Sequence, residues 1–134
     1  MFKVVKILNS CTNQPEPCRL PVLEERSFER GTLIKYSYDS ISYPTGTEMP
    51  THVVGETKHT HENDTILCYA ITPDMIFEAP VMETPTLSML GKGMQLLEGD
   101  GKAYAIDSTE GGHAYVYDLM GAKGPDDQIL VRFM

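Results

Sequence analysis

Two histidines in one short polar run are the residues of this chain best suited to chemistry. Residues 58–62 have the sequence Lys-His-Thr-His-Glu. In a β-strand, His59 and His61 project from the same face, because alternate side chains of a strand share a face. Two imidazoles and a carboxylate form a donor set that holds transition metals in proteins. A polar loop that contains histidines has the same composition, and we favour the loop.

A metal site built on this pair needs further donors. His52 and His113 are the candidates for a third nitrogen ligand. The order His-x-His followed by Glu is also similar to the first motif of the cupins, a family of β-barrel proteins. Cupins place the glutamate several residues further on, whereas Glu62 directly follows His61 and in a strand points to the opposite face. Our first hypothesis is that the protein binds no metal or other cofactor. The alternative hypothesis is a cupin-like small β-barrel metalloprotein that uses the His59/His61 pair.

The chain carries no recognisable signature of nucleophilic or phosphate chemistry. The G-x-S-x-G sequence around the nucleophile of many hydrolases is absent. Cys68 lies in an apolar run without an adjacent base, which predicts a buried and unreactive thiol. Residues 91–93 (Gly-Lys-Gly) are too short for a phosphate-binding loop and precede a predicted strand instead of a helix. We therefore predict that the protein is not an enzyme.

The charge and composition of the chain limit its partners. The formal net charge is −8 at pH 7 over 134 residues, and such a field repels phosphate, so nucleic-acid binding is not predicted. No apolar stretch approaches the about 18 residues that indicate a membrane span. The odd number of cysteines, three, argues against a closed disulfide framework, although Cys11 and Cys18 could pair across a short loop.

The hydrophobic pattern predicts a single all-β domain over residues 1–134. Residues 9–30 are predicted to form an extended arm or loop, because three prolines exclude a helix interior or a central strand there. One or two helical turns are an option over residues 22–30. Residues 39–55 predict a long loop, or two very short strands joined by one. The strands predicted before residue 87 cover residues 3–8, 31–38, 65–71 and 75–79.

The stretch from residue 87 to residue 134 consists of short apolar segments separated by glycine-rich turns. Gly99-Asp100-Gly101 predicts a tight hairpin, because glycine readily adopts positive φ. The whole stretch predicts an antiparallel meander that ends on a strand at residues 128–133. Together with the preceding strands, it predicts a small antiparallel β-barrel or sandwich of roughly seven to ten short strands with long loops.

Tyrosines are the most frequent aromatic residues, with seven tyrosines and no tryptophan. Tyr36, Tyr38 and Tyr43 cluster around one predicted strand and the loop that follows it. Tyrosine has a rigid apolar body and a polar tip, so it is favoured on half-buried faces and in interfaces. Ordinary core packing is one explanation of the cluster, and an oligomer or partner interface is the other.

Several stretches between residues 65 and 134 together resemble the small head-decoration, or capsid cement, proteins of tailed bacteriophages. The resemblance rests on pattern and includes no catalytic residue. The stretches that carry it are residues 72–78 (Thr-Pro-Asp-Met-Ile-Phe-Glu), residues 90–96 (Leu-Gly-Lys-Gly-Met-Gln-Leu), the Gly99-Asp100-Gly101 turn and residues 129–133 (Ile-Leu-Val-Arg-Phe).

This resemblance implies a structural virion protein on the outer capsid surface, made in the host cytoplasm. Its partners would be the major capsid protein and further copies of itself, as a homotrimer. An extended N-terminal arm would add contacts with the shell, so Pro15 and Pro17 join Tyr36, Tyr38 and Tyr43 as candidate interface residues. A host-derived β-domain that binds a protein or a carbohydrate is a third hypothesis.

Overall fold

The computed structural model describes residues 1–38, 40–99, 101–124 and 126–134. These residues form antiparallel β-sheets in a sandwich-like arrangement, which confirms the predicted all-β class. The sheets in the described part of the chain are open, so of the two predicted architectures the sandwich is correct and the closed barrel is wrong. Among the described residues, no helix has the length and hydrophobicity needed to cross a bilayer.

The described strands are more numerous than predicted, because four of them contain only three residues and are too short to show an alternating pattern. A 3-10 turn lies at Leu87–Met89. The strands are β1 (Lys3–Ile7), β2 (Pro17–Val22), β3 (Arg26–Phe28), β4 (Leu33–Ser37), β5 (Ser40–Ser42), β6 (His52–Val54), β7 (Lys58–Thr60), β8 (Asp64–Ala70), β9 (Met75–Pro80), β10 (Gly93–Gly99), β11 (Lys102–Glu110), β12 (Ala114–Asp118) and β13 (Gln128–Phe133).

The larger sheet is built around the C-terminal strand. Its order is β1-β9-β13-β12-β10-β11, so β13 is paired on both sides. Within β13 the side chains alternate strictly, and Ile129, Val131 and Phe133 are all fully buried. This alternation is the sequence pattern that predicted a final strand, and the structure confirms it.

The order of strands β10 to β12 differs from the predicted meander. β11 lies at the edge of the sheet, and β12 pairs with β10 on its other side. The connection from β11 to β12 passes the start of β10, where the amides of Gly111 and Gly112 donate to the Gly93 carbonyl at 3.0 and 3.2 Å. In the predicted β10–β11 hairpin, Gly101 has a φ of +78°, and Asp100 lies outside the described residues.

The smaller sheet has the order β2-β8-β6-β4-β5 and contains the predicted strand at residues 65–71 as the internal strand β8. The extended arm predicted for residues 9–30 is shorter than expected, because β2 and β3 form within it. Strand β2 tolerates Pro17 and Pro21 because it lies at the sheet edge, where a missing N–H does not break a ladder. The prediction of helical turns in residues 22–30 is wrong, since β3 lies in this stretch.

Residues 39–55 were predicted to form a long loop or two very short strands joined by one. β5 and β6 confirm the second option, and Asp39 lies outside the described residues.

Strands β3 and β7 form a separate two-stranded ribbon that covers the smaller sheet. Phe28 of β3 is buried in one hydrophobic cluster with Ile34, Val54 and Ile66 of that sheet. Neighbouring residues of the same sheet, Leu33 among them, belong to the second cluster, which lies between the two large sheets. The smaller sheet therefore has buried apolar side chains on both faces, and Phe28 anchors the ribbon in the cluster that lies away from the larger sheet.

The three cysteines are free thiols in very different surroundings. Cys68 is fully buried, as predicted, and burial raises the pKa of its thiol to about 12. Cys11 is exposed and Cys18 is half-buried, and the optional disulfide between them is not formed. Cys18 instead lies directly opposite Cys68 on the paired strands β2 and β8.

We expect Cys68 to resist alkylation in the folded protein while Cys11 reacts readily. At pH 8, a thiol with a pKa of about 12 has a thiolate fraction of only about 10⁻⁴, and the thiolate is the nucleophile. Peptide mass spectrometry after treatment with iodoacetamide measures both rates, and addition of denaturant should release the Cys68 reaction. Equal labelling of Cys11 and Cys68 without denaturant would contradict the prediction.

Candidate functional site

The outer face of the β3–β7 ribbon brings together polar side chains from two distant parts of the sequence. In the antiparallel pairing, Ser27 lies opposite His59 and Arg26 lies opposite Thr60. Continuing this register by one residue places Glu25 opposite His61. Thr60 is fully buried, and the alternation of the strand therefore turns His59 outward to solvent.

His59 is hydrogen-bonded through both of its ring nitrogens. Its Nε2 lies 2.8 Å from Glu25 Oε1, and its Nδ1 lies 2.7 Å from Ser27 Oγ. The His61 ring lies edge-on to the His59 ring, with a centroid separation of 5.3 Å. One donor atom each from Glu25, His59 and His61 lies within 4.8 Å of the other two, which makes this a compact donor cluster on the surface.

The carboxylate of this cluster is held in its charged form. The hydrogen bond from His59, followed by the charge of the same ring, lowers the pKa of Glu25 below its ordinary value. Glu25 and His59 are both largely exposed, with side-chain exposures of 68% and 49%. Water therefore screens the pair, and its contribution to the stability of the fold is small.

The buried side of the ribbon fixes the positions of these outward side chains. Thr60 Oγ1 donates to the Arg26 carbonyl at 3.0 Å across the two strands. The Arg26 guanidinium donates to the Ile41 carbonyl at 2.7 Å and so ties β3 to the hairpin that follows β4. Lys58 Nζ lies 2.9 Å from Asp64 Oδ1, an ion pair that joins the start of β7 to β8.

The structure corrects the predicted surroundings of the histidine pair. Residues 58–60 form a strand, so the polar loop we favoured is wrong for His59. His113 is at the end of the larger sheet, where its Nδ1 lies 2.7 Å from the Met134 carbonyl oxygen. His52 Nδ1 contacts Thr51 Oγ1 at 2.8 Å, and burial lowers the pKa of His52. Neither histidine joins the cluster of described donors.

Glu25 is the member of this cluster that sequence reasoning missed. The only signal was that Glu25-x-Ser27 and His59-x-His61 have the same two-residue spacing. That signal becomes useful only when β3 and β7 are known to pair. Strands of three residues are too short for their sequence to indicate which strand they pair with.

The three candidate interface tyrosines do not share one environment. Tyr36 and Tyr43 are half-buried and pack against the hydrophobic cluster of the smaller sheet. The Arg26 guanidinium lies 4.5 Å from the centre of the Tyr43 ring, a cation–π contact that gives this tyrosine a structural role. Tyr38, in contrast, is 99% exposed at the turn between β4 and β5.

Tyr38 borders a surface cleft of about 390 Å³ between this hairpin and the connection from β2 to β3. Leu23 lines the same cleft and is 59% exposed. Pro15 and Pro17 line a different and larger groove of about 800 Å³ beside β1. The tyrosine and proline candidates therefore belong to two separate surfaces.

The sequence matches no model of a known protein family and no protein in a search of curated sequences. A functional assignment therefore depends on the two surface features described above, the donor cluster of the ribbon and the cleft beside Tyr38.

Proposed function

We propose that this chain is a structural virion protein that binds the outer surface of a bacteriophage capsid and stabilises the shell. The observation that carries the proposal is Tyr38, a large side chain that is 99% exposed at the tip of a hairpin. The resemblance of residues 65–134 to head-decoration proteins supports the major capsid protein as the partner.

The backbone of Tyr38 supports an interface role for its side chain. Its φ is +49°, a region in which a bulky residue is uncommon because of steric crowding. Such a conformation costs of order 1–3 kcal/mol and is concentrated at functional sites. The hairpin thus holds an aromatic ring with a polar tip in solvent, and this type of side chain supplies much of the binding energy in interfaces.

The cleft beside Tyr38 enlarges the surface that a partner would contact. Pro21, Leu23 and Ile41 contribute apolar lining, and Glu24 and Arg26 contribute charge at its edge. A central aromatic residue, neighbouring apolar groups and a polar rim form the usual arrangement of a protein interface.

Decoration of a shell does not require a strong single contact. A trimer of this chain would attach through three copies of the same surface, and linked contacts bind far more tightly than one. A homotrimer has closed cyclic symmetry, and closed symmetry is the rule among soluble homo-oligomers. The homotrimer is therefore part of the proposal, with local threefold positions of the shell as its place of attachment.

Co-sedimentation tests the function directly. Particles from the native source are separated on a density gradient, and mass spectrometry quantifies this chain in every fraction. The proposal expects the chain in stoichiometric amounts with the capsid. Its presence in the soluble fractions alone would overturn the proposal.

We expect Tyr38→Asn to reduce binding to capsids that lack this protein by about tenfold or more. Asparagine tolerates positive φ, so the turn should keep its shape while the ring is lost. Tyr117→Asn is the matched control, because Tyr117 is 45% exposed on β12 of the other sheet. Binding is measured by pelleting with increasing protein concentration. If both variants bind as tightly as the wild type, Tyr38 is not an anchor.

The cupin-like alternative loses one of its two supports. The described sheets do not close into a barrel, and His113 lies away from the histidine pair. The remaining support is the pair itself, His59 and His61, with Glu25 in place of the predicted third histidine.

A further inference from the structure

The donor cluster on the β3–β7 ribbon has the composition of a metal site. We propose that Glu25, His59 and His61 bind a divalent first-row transition-metal ion, with Zn²⁺ as the expected occupant. This inference is independent of the proposed capsid role, because it concerns the ribbon alone. It would hold for the isolated protein whether or not the protein enters particles.

The spacing of the donor atoms suits such an ion. Zinc lies about 2.0–2.2 Å from imidazole nitrogen and carboxylate oxygen, so two donors in a tetrahedral site are about 3.3 Å apart. Glu25 Oε1 and His59 Nε2 are 2.8 Å apart, and no pair of the three donors exceeds 4.8 Å. Small side-chain rotations therefore complete the site, and the two strands need not move.

Ser27 orients one of the ligands from behind. Its Oγ lies 2.7 Å from Nδ1 of His59, which leaves Nε2 of the same ring directed at Glu25 and the ion. When Nε2 binds a metal, it gives up the proton that it donates to Glu25, and the Nδ1–H of the ring then donates to the serine oxygen, whose hydroxyl can act as donor or acceptor. Hydrogen bonds of this type fix the ring of metal-binding histidines and raise their affinity.

The donor types select the ion. Two imidazoles and one carboxylate favour zinc, copper or nickel over magnesium and calcium, which prefer oxygen donors only. The formal net charge of −8 also favours cation binding. Three protein ligands leave a fourth position for water or for a donor from another molecule, as in zinc sites that remain open.

The test is titration of the metal-free, untagged full chain with ZnCl₂ and, separately, with CoCl₂. Isothermal calorimetry should give about one Zn²⁺ per chain, and the visible spectrum of Co²⁺ should report its coordination geometry. MgCl₂ should give no measurable heat. His59→Ala and His61→Ala should each abolish binding or weaken it at least about a hundredfold, and Ser27→Ala should weaken it about tenfold.

His113→Ala is the matched control, since His113 lies outside the cluster, and it should bind Zn²⁺ like the wild type. Circular dichroism checks that each variant is folded, which is expected because none of the replaced side chains is buried in the core. The proposal is overturned if the wild type shows no saturable Zn²⁺ binding, or if His113→Ala weakens binding as much as His61→Ala does.

Discussion

Replacement of Phe133 by alanine is expected to lower the free energy of unfolding by about 3–5 kcal/mol. The ring is fully buried at the end of β13. It lies edge-on to Phe77 with a centroid distance of 5.2 Å and packs at 6.2 Å from Phe2 of the N-terminal segment. The substitution removes these contacts and leaves a cavity in the cluster between the two large sheets.

This loss approaches the whole stability of an ordinary domain, which is about 5–15 kcal/mol. Urea denaturation followed by circular dichroism measures the change. Leu87→Ala is the control for loss of a large apolar side chain, because Leu87 is 78% exposed. It should change the stability by less than about 0.5 kcal/mol. A loss below 1 kcal/mol for Phe133→Ala would show that the aromatic cluster packs loosely.

The strands that the sequence pattern predicted correctly are long enough to show their burial. β13 alternates over 6 residues, and β8 is a run of 7 residues in which apolar side chains predominate. In each strand, every face that packs against another layer must be apolar, and this requirement determines which residue types occur there. The same reasoning identified Cys68 as a buried thiol, because no polar partner accompanies it in that run.

The short strands could not be predicted in this way. β7 contains only Lys58, His59 and Thr60, and its single buried side chain is polar. Such a stretch becomes a strand only because β3 lies beside it and because Thr60 donates a hydrogen bond across the ribbon. These are tertiary contacts, and a polar composition alone favours a loop. The error over the histidine run has this physical origin.

The two candidate surfaces meet at the connection between β2 and β3. Leu23, Glu24 and Arg26 line the cleft beside Tyr38, and Glu25, between them in sequence, faces His59 on the ribbon. The side chain of Arg26 reaches the hairpin of Tyr38 through its bond to the Ile41 carbonyl. A single four-residue segment, residues 23–26, therefore contributes to both surfaces.

The unexpected order of the C-terminal strands depends on a close approach between backbones. After β11, the chain must pass the start of β10 before it can pair with it on the other side as β12. Gly112 makes this passage with its amide bonded to the Gly93 carbonyl at 3.2 Å, and it lies so near to β10 that a Cβ at Gly112 would overlap the Met94 carbonyl. A meander with β12 beside β11 would not need glycine at this point.

We expect Gly112→Ala to destabilise the protein by about 3 kcal/mol or more, because the added methyl group has no space. A Cβ at Gly112 would overlap the Met94 carbonyl and lie 2.7 Å from the Gln95 Cα, and these are backbone atoms that cannot rotate away. The steric clash can be relieved only if β10 and β12 separate, and this movement breaks the pairing of Met94 with Ala114. Thermal unfolding by calorimetry should therefore show a lower Tm and a smaller unfolding enthalpy.

Gly124→Ala separates this steric cause from the general effect of replacing a glycine. Apart from its two chain neighbours, no described residue has an atom within 4 Å of a Cβ at Gly124, and neither Gly124 nor Gly112 has a φ in the left-handed region. Both substitutions reduce the flexibility of the unfolded chain, which by itself stabilises a protein by about 0.4–1 kcal/mol. This small effect differs at Gly124, because Pro125 already restricts the backbone of the residue before it. The difference between the two variants therefore measures the cost of the close approach. If both variants unfold at the same temperature, the close approach at Gly112 does not exist. The predicted meander, with β12 beside β11, would then again be possible.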